Sequence, residues 1–213
     1  MHRECPVSRC PPQARGQSGM TLVELAVSSV LLATALSLVA EITFSFSSAL
    51  STISAQGLLQ IQLTQGTDAF NRDAHLATAL PLTQGAYTQD LDSTVDGTAT
   101  LILQVPAIDG TGTVIPARFD FIIYTFDNAA FPGQLRRIVE ADDGPPPSVR
   151  ATATEPDSTR VEANSISRVT VALANVNGTP PPLNEITMTL VGSRTERGRA
   201  HTLTLASRSV IRN

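Results

Sequence analysis

Residues 19–41 read GMTLVELAVSSVLLATALSLVAE, and the reading of this stretch decides the rest of the chain. Glu24 is the only ionisable residue between Met20 and Ala40. At about 1.5 Å per residue, this run makes a helix of roughly 31 Å, enough to cross the hydrocarbon core of a bilayer. Arg3, Arg9 and Arg15 precede it, and basic residues favour the cytoplasmic side. Everything beyond Glu41 is therefore expected outside the cytoplasm. A secretory signal peptide is the rival reading. Its apolar core usually spans about 7–15 residues and ends at a small-residue cleavage site. Here the run is longer, and it continues as EITFSFSSAL without such a site.

Glu24 is out of place in an apolar run. A carboxylate near the end of a membrane helix costs on the order of 2–3 kcal/mol unless it snorkels or is paired. Read alone, it is a tolerated charge near the interface. Its surroundings carry more information. Gly19 stands directly before the apolar Met20, and the acid follows four positions later. The hexad Gly19-Met20-Thr21-Leu22-Val23-Glu24 resembles the processing site of type IV pilins and type II secretion pseudopilins.

That resemblance implies cleavage by a membrane aspartyl prepilin peptidase between Gly19 and Met20, and N-methylation of Met20. It implies a role for Glu24 in subunit assembly. The partners implied are the peptidase, other pilin or pseudopilin subunits and an inner-membrane assembly platform. The expected location is the bacterial inner membrane, single-pass, with the exported domain periplasmic or extracytoplasmic. Many members of the family carry a proline just beyond the membrane; this chain has Glu41 in that region. An assembly step that melts the helix at such a proline has no counterpart here.

The sequence has 213 residues and a formal charge of −4. That length suits one membrane helix and one modest domain. The leader, residues 1–19, contains three arginines against Glu4, so the processed chain is more acidic still. An acidic chain argues against nucleic-acid binding. All 15 basic residues are arginine, and both cysteines, Cys5 and Cys10, lie in the leader. Two such ligands do not make a zinc site. Neither a disulfide nor a thiolate-bound metal is expected to hold the exported domain.

No proline interrupts the chain between Met20 and Pro81, so the helix is expected to continue to residue 80. Its second half, residues 42–80, changes character. Leu50, Ile53, Leu58, Ile61, Phe70, Ala74 and Ala77 recur at helical spacing between polar residues, which predicts an amphipathic helix packed on a domain. Gly57 and Gly66 predict a local bend or fray.

Beyond Pro81 the period becomes two. Leu101, Leu103 and Val105 alternate, as do Val169, Val171 and Leu173, then Ile186, Met188 and Leu190, then Leu203 and Leu205. Phe119–Phe126 (FDFIIYTF) is the most apolar part of this region. Such patterning predicts antiparallel strands with one face buried. The fold class is α+β: a long N-terminal helix packed on an antiparallel β-sheet domain over residues 81–213. Residues 141–164, rich in proline and charge, read as a long, exposed, flexible loop. Pro180-Pro181-Pro182 reads as a second turn.

Within the family, larger minor subunits carry an acidic-basic patch at the helix end, a strand tyrosine, a glycine turn into L-x-R, and a final strand closing in R-N. The corresponding residues here are Phe70-Asn71-Arg72-Asp73, Tyr124, Gly133-Gln134-Leu135-Arg136-Arg137 and Val210-Ile211-Arg212-Asn213. They make the chain most similar to a J-class minor pseudopilin or large minor pilin.

Signals for catalysis are sparse, and no enzyme activity or cofactor is expected. Beyond the leader the only histidines are His75 and His201, and no G-x-S-x-G occurs. Asp90, Asp92, Asp96 and Gly97 resemble a calcium loop only loosely, because the EF-hand spacing is missed. Asp142-Asp143-Gly144 reads as a turn, and Asn177-Gly178-Thr179 as a loop. The alternative to a filament subunit is a membrane-tethered, β-rich module that binds a ligand or surface and never polymerises.

Overall fold

The computed structural model describes residues 21–150, 157–174, 185–196 and 198–211. The cleavage-site residues Gly19 and Met20, both cysteines, the 177–182 stretch and Arg212-Asn213 lie outside them. The fold is α+β: one N-terminal helix, α1 (Leu22–Ala74), followed by antiparallel strands. The chain divides into two units, Met1–Ser48 and Ala49–Asn213.

In the first unit every residue from Thr21 to Phe46 is exposed, apolar side chains included. α1 is long and apolar enough to cross a membrane. A helix that is apolar all round and buries nothing against its own chain needs an apolar solvent. This fits a single-pass membrane protein.

Among the described residues the second unit holds the rest of α1 and nine strands. β1 (Thr83–Gln84) and β2 (Tyr87–Thr88) form a small hairpin. β3 (Thr98–Ile108), β4 (Val114–Asp127), β5 (Leu135–Glu140) and β6 (Asp157–Ala163) make a four-stranded sheet in sequence order. β7 (Ile166–Ala174), β8 (Glu185–Glu196) and β9 (Arg199–Val210) make a three-stranded one. The period-two residues do what alternation requires. Leu101, Leu103, Val105, Val169, Ile186, Met188 and Leu190 are buried in one core, with Leu203 and Leu205 half-buried at its edge. β4 departs from simple alternation because both its faces are covered. Ile122, Tyr124 and Phe126 join the main core, while Ile123 packs with Ile102 and Ile138 on the other face, under Tyr87 and Phe121.

The helix meets this core by a face that matches the expected one only at its end, where Phe70, Ala74 and Ala77 are buried. Leu50, Ile53 and Ile61 are exposed. The buried stripe is Ala55, Leu59, Leu63, Gly66, Ala69, Phe70 and Ala74. Close approach explains the choice. A Cβ on Gly66 would lie 3.1 Å from Leu190 Cδ1 and 3.2 Å from Ala163 Cβ, and one on Gly192 3.2 Å from Leu59 Cδ2. Small residues let the helix backbone settle where strands of both sheets converge. Gly66 is therefore a packing position, and α1 runs unbroken through both glycines. Phe70 is fully buried, as its sequence position predicts.

Two expected boundaries need correction. The helix ends at Ala74 rather than residue 80. Leu76 N–H and Ala77 N–H bond back to the Asp73 and Ala74 carbonyls in tight three-residue turns, and Thr78 N–H then bonds to the Gln104 carbonyl on β3. The pull of a strand edge, with Pro81 disfavouring a helical Leu80, turns the chain out of the helix. The 141–164 stretch is not one loop. Asp157–Ala163 pairs with β5 as strand β6. Residues 141–150 are pinned to β4 by two ion pairs, Arg118 with Asp142 at 2.7 Å and Arg150 with the buried Asp120 at 3.0 Å. The Arg118 guanidinium, helped by the Gly144 N–H, pulls the Asp142 carboxyl down to about 2.

Candidate functional site

Two groups of residues carry the functional reading, one in each unit. In the first unit, Thr21 and Glu24 close the start of α1. Thr21 N–H and its hydroxyl both donate to Glu24 Oε2 at 3.3 Å, and Glu24 N–H donates to the Thr21 hydroxyl at 3.2 Å. This reciprocal arrangement is a capping box, the T-x-x-E pattern that satisfies orphan amides at a helix start. In the sequence Glu24 stands out as an acid in an apolar run, whereas Thr21 does not stand out. The signal that finds it is the three-residue spacing to Glu24. The carboxylate thus has a local partner, which lowers the cost of keeping it at the head of an apolar helix.

The second group lies at the other end of α1. Asp73 is 2% exposed. Its Oδ2 accepts from the Tyr124 hydroxyl at 2.6 Å and from Arg137 Nε at 2.5 Å, and its Oδ1 accepts from Arg137 Nη2 at 3.2 Å. Tyr124 in turn stands edge-on to Phe70, with ring centroids 6.3 Å apart. Two residues earlier, Asn71 Oδ1 accepts from the Ser207 hydroxyl on β9 at 2.7 Å. The glycine turn before β5 makes this possible. Gly133 takes φ +70, a left-handed conformation that costs glycine little, and Leu135 then points into the core while Arg137 reaches Asp73. Patches 51 and 64 residues apart in sequence meet at one carboxylate.

Chemically this cluster is a lock. Carboxylate, phenol and guanidinium satisfy one another, and both ends of the carboxylate are occupied. Burial, then the Asp73 charge and its hydrogen bond, push the Tyr124 phenol well above 10. A raised pKa means the folded state holds its proton more tightly. The stabilisation is complete below about pH 10 and is lost as pH rises beyond it. In a Tyr87→Phe background, the phenolate absorbance of Tyr124 should therefore appear only together with alkaline unfolding. A phenolate that forms near pH 10 in the folded protein would overturn the lock.

The remaining candidates separate. His75 is exposed in the turn after α1, and His201 is half-buried on β9 opposite Arg194. Asp90, Asp92 and Asp96 use oxygens to accept the Asp92, Thr94 and Thr98 amides, so their spacing serves turns. Among the described residues no group of three or more His, Cys, Asp or Glu is placed to hold a metal ion. The chain matches no protein-family profile, no curated protein and no solved structure.

Proposed function

We propose that this protein is a minor pilin or pseudopilin, a non-enzymatic subunit of a type IV pilus or type II secretion pseudopilus. One observation carries the reading. A wholly exposed apolar segment, residues 21–46, headed by a single acid at Glu24 within the hexad that begins at Gly19, is followed by a folded β-rich domain. A simple anchor needs the helix and the domain and can use the acid only as part of a helix cap, a role that needs no charge. A filament subunit needs all three. In this reading the leader stays cytoplasmic, the prepilin peptidase cuts after Gly19, and the new amino group on Met20 is methylated. The inner membrane then stores the subunit until the assembly platform draws it among its neighbours, helix against helix.

The convergence of Asp73, Tyr124 and Arg137 supports the narrower J-class likeness, since residues matched there as separate short motifs meet at one buried carboxylate. Mass spectrometry of membrane-extracted protein tests the reading. The expected N-terminus is a methylated Met20, and Gly19→Leu should leave the precursor uncut. A mature chain that begins at Met1, or beyond Ala40, would refute it.

A further inference from the structure

On the face of the four-stranded sheet that carries Ile102, Ile123 and Ile138, the residues nearer the β4–β5 turn are polar. Thr98 and Thr100 on β3, Thr125 and Asp127 on β4, and Arg136 on β5 share one groove of about 280 Å³. Register places Thr100 beside Thr125 and Thr125 beside Arg136. Tyr87, Phe126, Phe131 and Ile138 supply the apolar part of the lining. Tyr87 leans on the isoleucine patch, and Arg136 stacks 3.8 Å above the Phe131 ring centre.

The polar groups here are poorly used by the protein itself. Asp127 Oδ1 accepts the Ala129 and Ala130 amides. Among the described residues its second oxygen accepts no hydrogen bond. Nor do the Arg136 guanidinium and the Thr100 and Thr125 hydroxyls make one among those residues. Asp127 and Arg136 line the same groove without an ion pair between them, although Arg118 on β4 and Asp142, just beyond β5 and 24 residues away, do pair. Register sets Thr98 opposite Asp127 and Thr125 opposite Arg136, so hydroxyls flank both charges.

We propose that this groove binds a neutral saccharide. One carboxylate and one guanidinium give the lining no net charge, which disfavours phosphate and polyamines alike. A pyranose offers adjacent hydroxyls that both donate and accept, and a C–H face that packs on aromatic rings. In this mode Arg136 donates to adjacent hydroxyl oxygens of the sugar, Asp127 Oδ2 accepts from hydroxyls, and the threonines serve both roles. The volume sits just below the usual small-ligand range of about 300–1,000 Å³, and the groove is open, so one ring of a longer glycan is the fitting occupant. This inference does not depend on filament assembly.

The test uses the full chain in lipid nanodiscs, free of sugar-headed detergent, with cellotetraose, chitotetraose and mannotetraose as probes. Saturation-transfer NMR should give a saturable signal with at least one of them. Arg136→Ala and Phe131→Ala should each weaken binding about tenfold or more. Thr125→Val, nearly isosteric, should also weaken it and serves if the larger truncations fail to fold. No saturable signal at about 10 mM of any probe, equal binding by the three variants, or displacement by inorganic phosphate would each overturn the assignment.

Discussion

Asp73→Ala is expected to destabilise residues 49–213 by about 3–5 kcal/mol, because it strands the Arg137 charge in a largely buried site. Arg137 has a side chain only 16% exposed, and its Nε and Nη2 both donate to Asp73. The Tyr124 hydroxyl loses its acceptor in the same step. For a domain of this size the loss should lower the thermal midpoint by about 6–20 °C. The double variant Asp73→Ala/Arg137→Met separates the pair from its parts. Removing both charges should cost clearly less than the sum of the single changes, since no charge is left unpaired. Phe70→Ala offers a scale for comparison. Emptying a fully buried ring beneath Tyr124 costs about 3–5 kcal/mol by a cavity mechanism that no second charge change repairs. Denaturant unfolding of the wild type, Asp73→Ala, Arg137→Met, the double variant and Phe70→Ala decides it. An Asp73→Ala loss below about 1 kcal/mol would show that the cluster is not a lock.

Much of the fold was legible because its causes are local. Alternation at 101–105, 169–173 and 186–190 needs only a pleated strand with one wet face, and these strands form there. The apolar run of α1 is equally direct. The helix's packing face was not legible in this way. Large side chains at Leu50, Ile53 and Ile61 mark an apolar stripe by size. The stripe in contact is chosen by how closely two backbones can approach, which favours Ala55, Gly66 and Ala69. Strand β6 hid for another reason. Its sequence DSTRVEA has no apolar alternation, and pairing with β5 supplies the order that composition withholds. At the candidate site, the sequence marked Asp73, Tyr124 and Arg137 as separate patches, but only the fold shows that they share a carboxylate. The groove of Thr98, Asp127 and Arg136 was invisible for the same reason, since its members come from three strands.

Glu24 is where two physical roles must be pulled apart. In the isolated chain its carboxylate belongs to a capping box with Thr21, and losing such a cap costs about 1 kcal/mol. In a filament, the same carboxylate would meet the Met20 amine of a neighbouring subunit, and both charges would remain in an apolar bundle. Breaking a buried pair of that kind costs about 3–5 kcal/mol, because one charge is left alone. Glu24→Ala removes both roles and should leave membrane level intact while abolishing co-assembly. Glu24→Gln divides them. Glutamine serves the same capping position, so the helix start survives, but it carries no charge to pair with an amine. If the charge pair recruits the subunit, Glu24→Gln should fail to co-assemble as completely as Glu24→Ala. If capping alone matters, Glu24→Gln should enter filaments at the wild-type level. Crosslinking in cells that express each variant reads the difference, and wild-type incorporation of both variants would remove Glu24 from assembly altogether.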